Sequence, residues 1–254
     1  MPFEPIQQEK LSHGVIKQVE ELILRGILRP GERLPPEREL SERMNVSRPS
    51  LREALGNLQE RGLLVSKAGA GVFVADVLGS AFAPALVKLF STHEQAVFDY
   101  ISFRRDMEGL AAERAARLAS DTDLKVINTI EKMEAAHQKR NPATEASLDA
   151  DFHLSIIEAS HNIIMLHMMR SMYELLREGV FYNRGIMFKQ RTTRDMLLDQ
   201  HRQINIALQA RDPEAARAAV ETHLSFVDEA LLNHQKSEHN EVYAQKRFEH
   251  ELGR

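Results

Sequence analysis

Pro36-Glu-Arg-Glu-Leu-Ser-Glu-Arg-Met-Asn-Val-Ser-Arg-Pro-Ser-Leu-Arg-Glu-Ala-Leu-Gly-Asn-Leu-Gln-Glu-Arg-Gly62 is the stretch on which the fold turns. Pro36 suits the first position of a helix, and Glu37 behind it complements the positive end of the helix dipole. A short helix is predicted from Pro36 to Met44, with Leu40 and Met44 one turn apart. Asn45-Val46-Ser47 then leads into a second helix with Ser47 or Arg48 at its N-cap and Pro49 in its first turn. Leu51, Leu55 and Leu58 share its inward face up to Gly62. Upstream, Leu11, Val15, Val19, Leu22 and Ile23 mark one face of an earlier helix that ends at Gly26. Arg29-Pro30-Gly31 is a turn before an extended Arg33-Leu34. Downstream, Leu63-Leu64-Val65 and Gly71-Val72-Phe73-Val74 are β-prone, joined by Lys67-Ala68-Gly69-Ala70, a hairpin connection. Helix, helix–turn–helix and hairpin make a winged helix, expected over residues 8–76.

The composition sets bounds on the rest. The 254 residues are 43% hydrophobic and 28% charged, enough to bury a core and too mixed for a disordered chain. No apolar run approaches the roughly 18 residues of a membrane span, and Met-Pro-Phe-Glu-Pro is no secretory signal; the expectation is a cytoplasmic protein with no membrane partner. With 11 histidines and no cysteine, any transition metal must be held by imidazole and carboxylate. Between residues 25 and 67 nine basic residues face six acidic ones, and eight of the nine are arginine, the side chain suited to phosphate and guanine.

After a connector expected at 77–91, containing Pro84, the pattern is helical throughout. Ile101 to Leu118, Leu148 to Ala159, Ile163 to Tyr182, Thr193 to Ala210 and Pro213 to Asn233 read as helices. Ser120-Asp-Thr-Asp123 is a capping box, and Asp212-Pro213 is a helix start. Residues 92–235 are thus expected to form an all-α bundle, and 236–254 a polar tail that frays or packs loosely. The fold class is mainly α, a winged helix-turn-helix with a small β-hairpin plus a helical bundle.

Polar residues crowd the N-terminal end of the third helix, the end that a helix-turn-helix presents to base edges in the major groove. The spacing equally fits a small helical module with surface arginines. Leu28-Arg-Pro-Gly-Glu-Arg-Leu-Pro-Pro-Glu-Arg-Glu-Leu-Ser, Val46-Ser-Arg-Pro-Ser-Leu-Arg-Glu-Ala-Leu and Arg61-Gly-Leu-Leu closely resemble the GntR family of bacterial regulators. That resemblance implies binding to double-stranded operator DNA and assigns DNA contacts to Arg38, Ser47, Arg48, Ser50, Arg52 and Gly69. Fatty-acid-responsive members carry a histidine just before the wing glycine, where this chain has Ala68.

A second constellation lies in the helical half. Asp149 and His153, four residues apart, project from a face that also carries Phe152, Ile156 and Ile157. His201 falls on the stripe of Leu197, Ile204 and Leu208, and His223 on that of Val220, Val227 and Ala230. Taken singly, Asp149 could be a helix-start charge and each histidine a hydrogen-bonded core residue. Taken jointly, four inward donors without a cation would be costly to desolvate, and one divalent ion would satisfy them all.

Leu148-Asp-Ala-Asp-Phe-His-Leu-Ser-Ile-Ile-Glu-Ala-Ser-His-Asn resembles the FCD ligand-binding domain of the FadR subfamily, over residues about 98 to 232. The resemblance implies metal ligands at Asp149, His153, His201 and His223, with zinc as the ion and nickel or manganese as alternatives. It places Arg104 toward an effector cavity, against a simpler role as partner of Glu108. It gives Asn162 either an effector contact or a helix cap. His161 and His167 stay structural. The implied function is a homodimeric regulator, expected to be a repressor, whose effector is a small carboxylate such as lactate, pyruvate or glycolate. The alternatives are a metal-dependent helical enzyme with an accessory DNA-binding domain, and a regulator sensing the ion itself. No phosphate loop, nucleophile motif or HExxH is present, so no catalytic residue is expected.

Overall fold

The computed structural model describes residues 11–75, 84–177, 187 and 191–252. The chain divides into two compact units between residues 79 and 80.

The first unit holds α1 (Leu11–Leu24), α2 (Glu37–Arg43), α3 (Arg48–Glu60), β1 (Leu64–Lys67) and β2 (Gly71–Val74). Ser47 caps α3, its Oγ accepting from the backbone N–H of Ser50 at 3.3 Å. Val15, Val19, Leu40, Leu51, Leu55, Leu58, Leu64 and Val74 bury together, so the inward faces read from the spacing do meet. The hairpin is antiparallel, with Leu64 opposite Val74 and Lys67 opposite Gly71. Residues 31–34 run along its other edge: Leu34 N–H donates to the Val72 carbonyl, Val74 N–H to that of Glu32, and Arg33 bridges Phe73. Gly69, at φ +70°, makes the turn in a region costly for a residue with a Cβ.

The second unit is helical throughout its described residues: α4 (Pro84–Thr92), α5 (Glu94–Leu118), α6 (Asp121–Ile127), α7 (Ile130–Gln138), α8 (Pro142–Ala159), α9 (Ile163–Arg177), α10 (Arg191–Gln209) and α11 (Pro213–Leu252). Ser120 and Asp123 form the expected capping box, and Asp212 Oδ1 accepts from Ala215 N–H at the start of α11. The core draws on α5, α8, α9, α10 and α11 through Ile101, Phe152, Ile156, Met169, Leu197, Ile204, Val220 and Leu224.

Helices α5 and α8 begin earlier than the sequence reading has them, at Glu94 and Pro142 rather than Ile101 and Leu148, and two expected segments differ in character. The expected connector 77–91 contains helix α4 from Pro84 onward; its residues before Pro84 lie outside the described set, as does the expected end of α9 at Tyr182. The expected tail is helical as well, because α11 runs unbroken to Leu252. Burial on α11 ends at Leu231, but good helix formers recur after it, Gln235, Lys236, Glu238, Glu241, Ala244, Gln245, Lys246 and Arg247 among them, with no Gly or Pro before Gly253. The apolar stripe stops there, and the helix does not. No helix of the described residues is long and apolar enough to cross a membrane.

Candidate functional site

Helix α8 carries Asp149 and His153 one turn apart, α10 carries His201 and α11 carries His223. All four are buried, and their donor atoms lie within 4.8 Å of one another. His153 Nε2 stands 3.2 Å from His223 Nε2 and 3.3 Å from His201 Nε2. Asp149 Oδ1 is 3.0 Å from His201 Nε2 and 3.8 Å from His153 Nε2. Two nitrogens bound at about 2.0–2.1 Å to one ion at a tetrahedral angle stand about 3.3 Å apart, so these separations suit a common ion.

The outer nitrogens strengthen that fit. His223 donates its Nδ1 proton to Gln200 Oε1 at 3.0 Å. His153 Nδ1 lies 2.7 Å from Glu108 Oε2, a short contact with a bent angle. With those protons on Nδ1, the Nε2 atoms of both rings present lone pairs to each other. Nor does ring protonation relieve them. Burial, with His201 and His153 alongside, holds the His223 ring well below the ordinary histidine value. Burial likewise lowers His153, against the opposing pull of Glu108. Two neutral imidazoles aimed at each other over 3.2 Å are a donor set suited to a cation.

Glu108 connects this centre to Arg104. Arg104 is 1% exposed; its Nε donates to Glu108 Oε1 at 2.6 Å and its Nη2 to Glu108 Oε2 at 3.4 Å. Tyr173 Oη donates to the same Oε1 at 2.7 Å and accepts from Arg104 Nη2 at 3.2 Å. Burial would raise the Glu108 pKa, but Arg104 and His153 outweigh it and hold the carboxyl below the usual range. Glu108 is therefore an anion. One turn before Asp149, Glu145 receives Arg194 Nε at 3.0 and 3.1 Å, tying α8 to α10 beside the cluster. Gln200 also lines a groove of about 750 Å³ together with Arg105, Asp106, Glu221 and Phe226.

Of the expected effector residues, Arg104 sits one carboxylate away from His153. Asn162 caps α9, its Oδ1 accepting from Met165 N–H at 3.0 Å. His161 pairs with Asp123 at 3.2 Å. Glu108, Gln200 and Tyr173 join the centre without being marked in the sequence as parts of it. An i,i+4 spacing to Arg104 marks Glu108, but its other partners, His153 and Tyr173, come from α8 and α9.

In the first unit, Ser47, Arg48, Ser50 and Arg52 lie together at the start of α3, with Ser47 Oγ 2.9 Å from Ser50 Oγ. Arg48 is exposed, Arg52 pairs with Glu37 at 2.7 Å and Arg38 with Glu42 at 3.2 Å. Gly69 is at the wing tip, and it lines a groove together with Lys67 and Glu37.

Comparison with known proteins agrees with both halves. Residues 11–74 match the family described as bacterial regulatory proteins, gntR family, and residues 99–226 match the FCD domain. The Glc operon transcriptional activator of Escherichia coli (strain K12) is 31% identical over 229 residues, covering 89% of this chain and 90% of that protein. The regulatory protein named for the L-lactate dehydrogenase operon of the same strain is 33% identical over 253 residues, covering 93% and 97%. Among solved structures, Streptococcus agalactiae GntR aligns at a TM-score of 0.51 and 24% identity, over 86% of this chain and 99% of that one, which speaks for the fold. These relatives are regulators, and the enzyme alternative falls away. The chain belongs to the GntR family: it is a DNA-binding transcriptional regulator in which a winged helix-turn-helix is joined, as in the FadR-like subfamily, to an FCD domain.

Proposed function

We propose that the regulator's operator binding is modulated by a small organic acid held at a divalent metal in the FCD domain. The observation that carries this reading is the pair of neutral imidazole lone pairs, His153 and His223, converging at 3.2 Å with Asp149 and His201 beside them. These four residues would hold the ion, and zinc is the choice best matched to a buried set of three nitrogens and one carboxylate oxygen, with nickel and manganese as alternatives. When bound, the ion supplies positive charge and a coordination position for an oxygen donor. A lactate-, pyruvate- or glycolate-type carboxylate suits that position, and the relative named for an L-lactate dehydrogenase operon supports this class.

The chain's own residues do the rest. Arg104 offers the anion a charge-assisted hydrogen bond, taking it in competition with Glu108. The Asn162 amide nitrogen is left for a ligand, since its oxygen is engaged in the cap. Ser47, Arg48, Ser50, Arg52, Arg38 and the backbone at Gly69 form the operator contacts. A two-fold homodimer would set two α3 helices in successive major grooves of a palindromic site. The effector shifts the balance between dimer states that do and do not fit this site, and the operator changes effector affinity by the same factor. Where the site overlaps a promoter, occupancy excludes the polymerase, and the outcome is repression. The test is metal per chain by elemental analysis of purified protein: about one ion is expected in the wild type and a loss in His201→Ala. A wild-type protein without metal after reconstitution would overturn the reading.

A further inference from the structure

Arg25, Arg38, Arg43, Arg52 and Arg61 of the first unit each pair with a glutamate of the same unit. Among the described residues of the unit, Lys17 on α1, Arg33, Arg48 and Lys67 pair with no carboxylate. Arg48 belongs to the start of α3. Arg33 and Lys67 meet somewhere else, on the wing.

Register places them on one face. Directly opposed residues of an antiparallel pair point the same way, and so do residues two apart on a strand. Lys67 opposes Gly71, and Phe73 lies two residues beyond Gly71, so Lys67, the bare Cα of Gly71 and Phe73 share a face. Lys67 Nζ indeed sits 4.6 Å over the Phe73 ring. Arg33 bridges Phe73 from the other edge and lays its guanidinium over Gly71: a Cβ at residue 71 would lie 3.1 Å from Arg33 Nε. The missing side chain of Gly71 is what lets Arg33 reach across β2 toward Lys67. Both cations line the groove of about 280 Å³ between the wing and Pro36-Glu37. Glu37, the acid of that groove, is already neutralised by Arg52.

We infer that Arg33 and Lys67 grip a phosphate of the DNA backbone, a contact distinct from base reading at α3. This rests on residues 11–74 acting as the DNA-binding unit. Two exposed cations without carboxylate partners, one laid over a glycine gap and the other over an aromatic ring of the same face, suit a polyanion that passes along the wing. Phosphate contacts of this kind position the protein and carry no sequence information.

The test is the salt dependence of binding by the full chain to two duplexes, a mixed-sequence one and an operator fragment selected on the wild-type protein. Each phosphate contact contributes about −0.9 to the slope of log Kobs against log salt. The double variant Arg33→Gln, Lys67→Gln is expected to make that slope shallower by about 0.9 per wing on the DNA, with Arg33→Gln and Lys67→Gln alone each lying between it and the wild type, and all three should weaken both duplexes by a common factor. Arg25→Gln, the same charge change at a site paired with Glu21, should leave the slope near that of the wild type. Both side chains are exposed, so the variants should fold. An unchanged slope in Arg33→Gln, a loss confined to the operator, or an equal loss in Arg25→Gln would overturn the inference while leaving DNA binding intact. A wild-type chain that bound neither duplex would overturn the DNA-binding assignment along with it.

Discussion

Glu108 Oε2 lies 2.7 Å from Nδ1 of His153, so a buried carboxylate on α5 backs an imidazole of the cluster on α8. The same carboxylate receives Arg104 and Tyr173, and Arg104 and His153 therefore share one acceptor. Outer partners of this kind orient the ring and raise its basicity.

Glu108→Gln keeps the shape and an acceptor oxygen but removes the charge, and should lower zinc affinity by about 10–100-fold. Gln200→Met, which deletes the acceptor for His223 at a half-buried position, should act in the same direction. Competition with a chromophoric chelator measures both. Affinities equal to the wild type would show that neither residue supports the centre.

Arg48 is exposed at the first turn of α3 with no internal carboxylate partner. Arg48→Ala should weaken operator binding by about 1–3 kcal/mol and affect a mixed-sequence duplex less. Fluorescence anisotropy with the two duplexes separates these effects. Equal losses on both would make Arg48 a backbone contact.

The capping box that starts α6 gives a pH-dependent prediction. Asp123 is desolvated, which would raise its pKa, but hydrogen bonds from Ser120 and the charge of His161 outweigh this and lower it below the ordinary 3.8. A carboxyl that ionises more readily in the folded state stabilises the fold above its unfolded pKa, and the contribution vanishes as the pH falls through the folded value. Ser120→Ala should cost about 1 kcal/mol in urea unfolding at neutral pH, and less below pH 3.8. A deficit that does not shrink in acid would remove Asp123 from the cap.

Burial on α11 ends at Leu231, and the helix beyond it is largely exposed. Truncation after Glu238 should change thermal stability by no more than about 0.5 kcal/mol. A large drop in calorimetry would show that residues 239–252 pack onto the fold.

Local patterns made much of this legible. The stripe Leu51, Leu55, Leu58, the Ser47 cap, the Ser120–Asp123 box and the i,i+4 pair Asp149–His153 are all set within one or two turns of chain. What stayed illegible depends on distant chain or on the lack of a pattern. Gln200 meets His223, and Glu108 meets His153, only after helices α5, α8, α10 and α11 have packed. The end of α11 is helical on propensity alone, without the apolar stripe that amphipathic periodicity detects. The wing cations needed the register of β2 and the empty side of Gly71, neither of which is visible in a charge count.

The central claim is that a small acid at the Asp149–His153–His201–His223 centre controls DNA binding. It is tested most directly by the operator affinity of zinc-loaded full-length protein, titrated with L-lactate, pyruvate and glycolate, in the wild type and in His201→Ala. At least one acid should shift the wild-type affinity by about 5–150-fold, with no shift in the variant. A wild type indifferent to all three acids, or a variant that responds equally, would contradict the account.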